Sequence, residues 1–130
     1  MKTIILAGAL VCASICALDA RADAPSPLGF WARGDGIAKV KIEACGTDLC
    51  AINTWIRPGT KDEKVSDKLV MSVKPTGPAT WSGKAFDPQR HLNYRLTMTM
   101  MGQNNMTTKG CILGGLICKN VAWTRLQSSD

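Results

Sequence analysis

IAKVKIEACGTDLCAINTWI, residues 37–56, decides the fold because it carries its own strand pairing. Val40, Ile42 and Ala44 alternate with Lys39, Lys41 and Glu43, the period-two pattern of a strand with one dry face and one wet face. Cys45 and Cys50 then enclose Gly46-Thr47-Asp48-Leu49, a short turn-rich connection that a disulfide would staple. The simplest pairing sets Cys45 opposite Cys50. Counting outward places Ala44 against Ala51, Ile42 against Asn53 and Val40 against Trp55 on the dry side, so Asn53 is the one polar residue expected there. A slip of one residue would reverse every assignment, and the disulfide opposes such a slip.

The chain has 130 residues, with 16 Lys and Arg against 10 Asp and Glu, a net charge of +6. Its first residues stand apart. Met1-Lys2, an apolar run from Ile4 to Leu18 and the small-x-small Ala20-Arg21-Ala22 read as a secretory signal peptide over 1–22. The run is shorter than the roughly 20 apolar residues of a membrane span, and none occurs later, so no transmembrane segment is expected in the mature chain. Val11 and Ile15 precede Cys12 and Cys16 where a lipidation site wants a small residue. Residues 23–130 suffice for one domain with a modest core. Export places the protein in the periplasm or outside the cell, where four remaining cysteines form disulfides more readily than thiols or metal sites.

Further strands follow by alternation. A proline-bearing leader precedes Gly29-Phe30-Trp31, the start of a first strand, and Gly34-Asp35-Gly36 turns it into the hairpin. Residues 57–64 form an exposed loop. Leu69, Met71 and Val73 share the inner face of a strand over 67–74, and Pro75-Thr-Gly-Pro78 turns it. Trp81, Gly83 and Ala85 alternate along 80–86, and Leu92, Tyr94, Leu96, Met98 and Met100 alternate along the clearest strand of the chain. The next turn fixes the following register. An even loop would point Lys109 into the core at a cost of several kcal/mol. An odd loop with a bulge pairs Met100 with Met106 and sends Lys109 to solvent. Gly114-Gly115 then closes a two-residue hairpin that sets Cys111 opposite Cys118, and a last strand runs through Val121 and Trp123 to Leu126. The reading is all-β: a single up-and-down antiparallel barrel of about eight strands, with two hairpin disulfides, Cys45–Cys50 and Cys111–Cys118.

Gly29-Phe30-Trp31, the hairpin from Cys45 to Trp55, Trp81-Ser82-Gly83, Phe86-Asp87-Pro88 and Trp123-Thr124-Arg125 together resemble the domain of unknown function 2147 family. That resemblance implies a lipocalin-like, or calycin-like, barrel and an exported location, and no established activity. Ala51 stands where the family usually has glycine, and the loop over 57–68 looks shortened. The resemblance to the lipocalin pattern further implies that Arg125 covers Trp31 at one end of the barrel, a structural role.

No stretch spells a reaction. His91 is the only histidine, at a turn, and no Gly-x-Ser-x-Gly accompanies it. Neither cysteine pair has zinc spacing. Asp and Glu cluster in loops, with none inward by this register, so paired carboxylates for glycoside hydrolysis are not expected. Met98, Met100 and Met106 share an inner face, where thioethers serve Cu(I) or, more often, fill a core. Nucleic-acid binding has only net charge behind it. The expectation is therefore an exported, non-enzymatic barrel without cofactor or metal, binding a small, mostly apolar molecule against Asn53, Trp55, Trp81, Tyr94 and Met98. The alternative is a structural or interaction protein of the cell envelope that docks an acidic component through Lys39 and Lys41.

Hairpin counting also ranks the disulfides. Cys45 and Cys50 flank a four-residue loop with room to relax, whereas Cys111 and Cys118 lie directly opposite at a hydrogen-bonded position. Graded dithiothreitol followed by peptide mapping is expected to open Cys111–Cys118 first. A Cys45 link to Cys111 or Cys118 refutes the connectivity, and earlier opening of Cys45–Cys50 refutes the ranking.

Overall fold

The computed structural model describes residues 8–9 and 24–129, so the expected signal peptide lies, but for residues 8 and 9, outside the described residues. Eight strands run in chain order: β1 (Gly29–Arg33), β2 (Ala38–Cys45), β3 (Asp48–Ile56), β4 (Lys68–Gly77), β5 (Thr80–Asp87), β6 (Leu92–Met100), β7 (Asn105–Ile112) and β8 (Ile117–Leu126). Each pairs antiparallel with the next, and β1 pairs with β8 to close the barrel. Closure leaves no unpaired strand edge. Among the described residues no helix is long and apolar enough to cross a membrane.

Both disulfides join the cysteines expected, but the second hairpin turns through residues 113–116 rather than through Gly114-Gly115 alone, and it sets Cys111 and Cys118 4.1 Å apart at Cα, the spacing of a non-hydrogen-bonded pair rather than the hydrogen-bonded one expected. Cys111 lies opposite Cys118, and Met100 opposite Met106, so Lys109 faces solvent beside Thr97. The β2–β3 hairpin departs from expectation in two ways. Its turn is tighter: Cys45 pairs with Asp48 around Gly46-Thr47, with Gly46 at φ 65°. The register thus moves by two residues, an even number, which keeps Ala44, Ile42, Ala51 and Asn53 on their expected face. Cys50 then sits opposite Glu43, and its disulfide to Cys45 runs diagonally across the ladder with Cα atoms 5.8 Å apart. The second departure is a bulge. Val40 pairs with Asn53 but Lys39 pairs with Trp55, so Thr54 is an extra residue and Trp55 turns outward. Trp55 is 37 % exposed, with the Lys39 ammonium 5.4 Å from its ring. The expectation of an inward Trp55 is corrected by this one inserted residue.

One end of the barrel is closed. Trp31, Met98 and Met106 are fully buried there, with Met100 and the half-buried Trp81 and Trp123 around them. The Arg125 guanidinium lies 4.3 Å from the Trp31 ring and donates to the carbonyls of Ser26, Leu28 and Gln103. The Trp31 indole N–H donates to Pro27 O at 2.8 Å. Gly29, at φ 124°, belongs to the same arrangement, because a Cβ there would lie 2.7 Å from Arg125 Nη1.

Gly83 marks another close approach. It faces inward between Val73 and Leu96, and a Cβ on it would fall 2.0 Å from the Ser72 carbonyl oxygen. Gly110, across Leu96 on β7, has nothing within 4 Å of such a Cβ. Gly83→Ala should therefore destabilise the barrel by about 2 kcal/mol through displacement of β4. Gly110→Ala should stay within about 0.5 kcal/mol of the parent. Urea unfolding of the two variants side by side checks both values, and equal stabilities would contradict the close approach.

Candidate functional site

The strands that pack their closed end with methionine and tryptophan leave the other half hollow. A cavity of about 310 Å³ stands on Met98, Met106 and Trp123 and is walled by Val40, Ile42, Met71, Ala85 and Leu96. Small residues make the space: Ala51, Ala85 and Gly110 occupy wall positions where a leucine would fill it. The mouth lies at the end that carries the β1–β2, β3–β4, β5–β6 and β7–β8 connections.

The rim is polar and tightly paired. Arg33, at the end of β1, reaches Glu63 in the β3–β4 loop with two parallel hydrogen bonds of 2.6 Å and Asp35 at 2.9 Å. Such a fork holds both position and plane. Across the mouth, Asp87 at the end of β5 accepts bonds from the backbone N–H groups of Gln89 and Arg90, the Gln89 amide and the Arg90 guanidinium. Arg90 continues to Asp67 at 3.2 Å and to the Asp62 carbonyl. Gln89 also bonds both the backbone N–H and the carbonyl of Lys68 at the start of β4. Between the two arginines Asn53 donates its amide to Lys64 O at 3.1 Å, while its backbone bonds Ser66 and Asp67. The β3–β4 loop is thereby strapped to the rim from three sides.

These pairs set the charge state. The Arg33 hydrogen bonds hold Glu63 below its ordinary value of 4.5, outweighing its burial. Burial pushes Asp87 up, but the bonds from Arg90 and Gln89 win and leave it lowered from 3.8. Arg33 is raised, first by its bond to Glu63 and against burial. Tyr94, on the wall below Asp87, is raised by burial and then by the Asp87 charge, so its hydroxyl keeps its proton.

Of the five residues expected to meet a ligand, Asn53, Tyr94 and Met98 line the cavity. Trp81 faces inward opposite Met98 but packs into the closed half, and Trp55 lies outside. Asn53, half-buried, is engaged by backbone. The expectation that no carboxylate faces inward is overturned: Asp87 is 7 % exposed, and Glu63 and Asp67 join it at the mouth. Carrying the alternation of Trp81, Gly83 and Ala85 one step further reaches Asp87, so the signal was present. Nothing local marks Arg33 and Glu63, thirty residues apart. His91 is exposed at its turn, at φ 53°. Lys39 and Lys41 face outward on β2. Lys41 pairs with Glu43 at 3.2 Å and lies over the Phe30 ring.

A closed eight-stranded meander, solid at one end under an arginine-capped tryptophan and hollow at the other, defines a lipocalin-like barrel. Residues 29–125 match the family described as uncharacterized protein conserved in bacteria (DUF2147), and the chain belongs to that family. Among solved structures it is similar to protein HP1028 from the human pathogen Helicobacter pylori, described as belonging to the lipocalin family. The TM-score is 0.59 at 14 % identity over 79 % of this chain and 84 % of that one, a likeness of fold. Comparison with curated protein sequences finds no match.

The rim makes the strap pH-sensitive in a definite direction. The folded values of Glu63 and Asp87 lie below the unfolded ones. Their contribution is therefore fully present above the unfolded values and is lost as pH falls through the lowered ones. Below pH about 4 the amides of residues 62–67 should lose protection before those of the strands. Glu63→Gln should loosen the same amides at neutral pH. Hydrogen exchange, corrected for intrinsic rates, checks this, and protection that is indifferent to both changes would contradict the strap.

Proposed function

We propose that this protein is an exported, non-enzymatic binding protein that carries a small, mostly apolar molecule in the open half of its barrel. The observation that carries the reading is the cavity itself. Its volume of about 310 Å³ falls at the lower end of the range for small-molecule sites, and its apolar walls end in a polar rim. Eight-stranded barrels of this kind have room for one small ligand. The apolar body would lie against Val40, Met71, Leu96 and Met98, with its polar end near Asn53 and Tyr94.

The rim carboxylates support binding over hydrolysis. Glu63 and Asp87 are held ionised by Arg33 and Arg90, which removes the proton a general acid needs and occupies the lone pairs a base would use. Two disulfides in so small a chain support an oxidising compartment, the periplasm or the cell exterior.

Native mass spectrometry of protein purified from its own cell envelope should show a co-purifying small molecule. The apolar fluorophore N-phenyl-1-naphthylamine should bind the emptied barrel. Ala85→Phe, which fills the wall opposite Tyr94, should weaken that binding about tenfold or more. Ala51→Leu, placed on a different strand, should act in the same direction, and urea unfolding of both variants separates lost binding from lost folding. Undiminished probe binding in both folded variants would overturn the cavity as the site.

A further inference from the structure

The tip of the β7–β8 hairpin, from the last residue of β7 to the first of β8, reads Ile112-Leu113-Gly114-Gly115-Leu116-Ile117, four aliphatic residues and two glycines without a charge or a hydroxyl. Leu113 is 66 % exposed, Leu116 86 % and Ile117 54 %. One exposed leucine is ordinary, but three large aliphatics on one tip are not. Hairpin tips in water favour Asn-Gly or Asp-Gly, which are polar and accept positive φ. Here Leu113 itself adopts φ 51°, ahead of Gly114 at 67° and Gly115 at 95°. A leucine thus holds a left-handed position that asparagine would take more readily, and holds it in water. Cys111–Cys118 braces the hairpin directly behind the tip.

The surroundings say what covers it. A groove on the barrel wall beneath the tip is lined by Ile112, Leu113 and Gly114 on one side and by Lys84 and Arg95 on the other. Lys84 and Arg95 are cross-strand neighbours on β5 and β6, and no acidic residue lines the groove. Neither cation forms a salt bridge among the described residues. Lys109 adds a third on the outer face of β7. An apolar projection flanked by unpaired cations matches a leaflet whose phosphates lie just above its acyl chains. A second copy of the chain fits less well, because pairing the tips would bring the Lys84 and Arg95 clusters of both copies together.

We propose that this tip inserts into the surface of an anionic bilayer, with Leu113, Leu116 and Ile117 among the acyl chains and Lys84 and Arg95 against lipid phosphates. The tip belongs to the same end of the barrel as the mouth, where Val65 and Leu92 are also exposed. Docking therefore turns the mouth toward the membrane. It stands independently of any ligand in the cavity.

Sedimentation of the mature protein with vesicles tests this. Vesicles of equal parts phosphatidylglycerol and phosphatidylcholine should carry the protein down, and phosphatidylcholine alone should do so weakly. Lys84→Gln with Arg95→Gln should weaken the first about twenty-fivefold, about fivefold for each cation, and leave the second nearly unchanged. Leu113→Asn with Leu116→Ser should weaken both about tenfold or more. Asparagine suits the left-handed position, so this variant should keep the parent's unfolding curve. Failure of the parent to bind the mixed vesicles, or parent-like binding by the folded tip variant, would overturn the proposal. So would a concentration-dependent dimer that the tip variant abolishes while vesicle binding is absent.

Discussion

The barrel depends on a single stacked contact, the Arg125 guanidinium over the ring of Trp31. β1 is the shortest strand, five residues, yet it must pair with both β2 and β8 for the sheet to close. Trp31 sits opposite Arg125 in that last ladder. A guanidinium over an indole contributes about 0.5 to 2 kcal/mol, and this one also donates to the carbonyls of Ser26, Leu28 and Gln103. Those carbonyls belong to the leader before β1 and to the β6–β7 loop, so one side chain ties the first strand, the last strand and the crossing connection together. Gly29 is part of the same contact, since any side chain there would occupy the space of the guanidinium.

Closing one end decides what the other can be. A short chain has limited apolar mass, and here it is concentrated under Arg125: three tryptophans and three methionines fill the closed half, while alanine and glycine at Ala51, Ala85 and Gly110 leave space in the open one. The open half then needs a rim that tolerates water. Burying a carboxylate unpaired would cost several kcal/mol, and the structure meets this by giving Glu63 and Asp87 an arginine each. The pairs sit at the mouth, where partial hydration keeps desolvation modest. The cavity stays apolar below and charged above, an axis along which an amphipathic molecule has one orientation.

Much of this was legible because strand parity is discrete. Alternation along residues 92–100 returned β6 with the same bounds, and rejecting a buried Lys109 selected the register that pairs Met100 with Met106. Even the wrong count at Cys45 erred by two residues and cost no inward assignment. The bulge was not legible, because Thr54 has no mark that distinguishes an inserted residue from a paired one. Its hydroxyl is buried without a partner. One unpaired residue reverses parity, so Trp55 left the interior and joined Lys39 outside. The rim pairs were hidden for another reason: Arg33–Glu63 and Arg90–Asp67 join residues far apart in the chain, and neither alternation nor turn chemistry reports which charges meet across a mouth.

The bulge and the strap are one device. β-bulges at barrel rims re-aim a strand where regular pairing would carry it past the opening. After Asn53 the β3 chain turns so that its next inward direction is spent and the β3–β4 loop folds back over the mouth, bonding Asn53 through both backbone and side chain. What holds this loop is polar: Arg33 on one side, Arg90 on the other, Asn53 between them, while its apolar members Pro58 and Val65 face water. A segment secured by ion pairs and hydrogen bonds can exchange each of them for water when it lifts, whereas one secured by apolar packing would expose surface at about 25 cal/mol per Å². Lifting the loop would therefore cost less than separating any strand of the barrel, because the contacts it would give up, to Arg33, Arg90 and Asn53, are ones that water can replace.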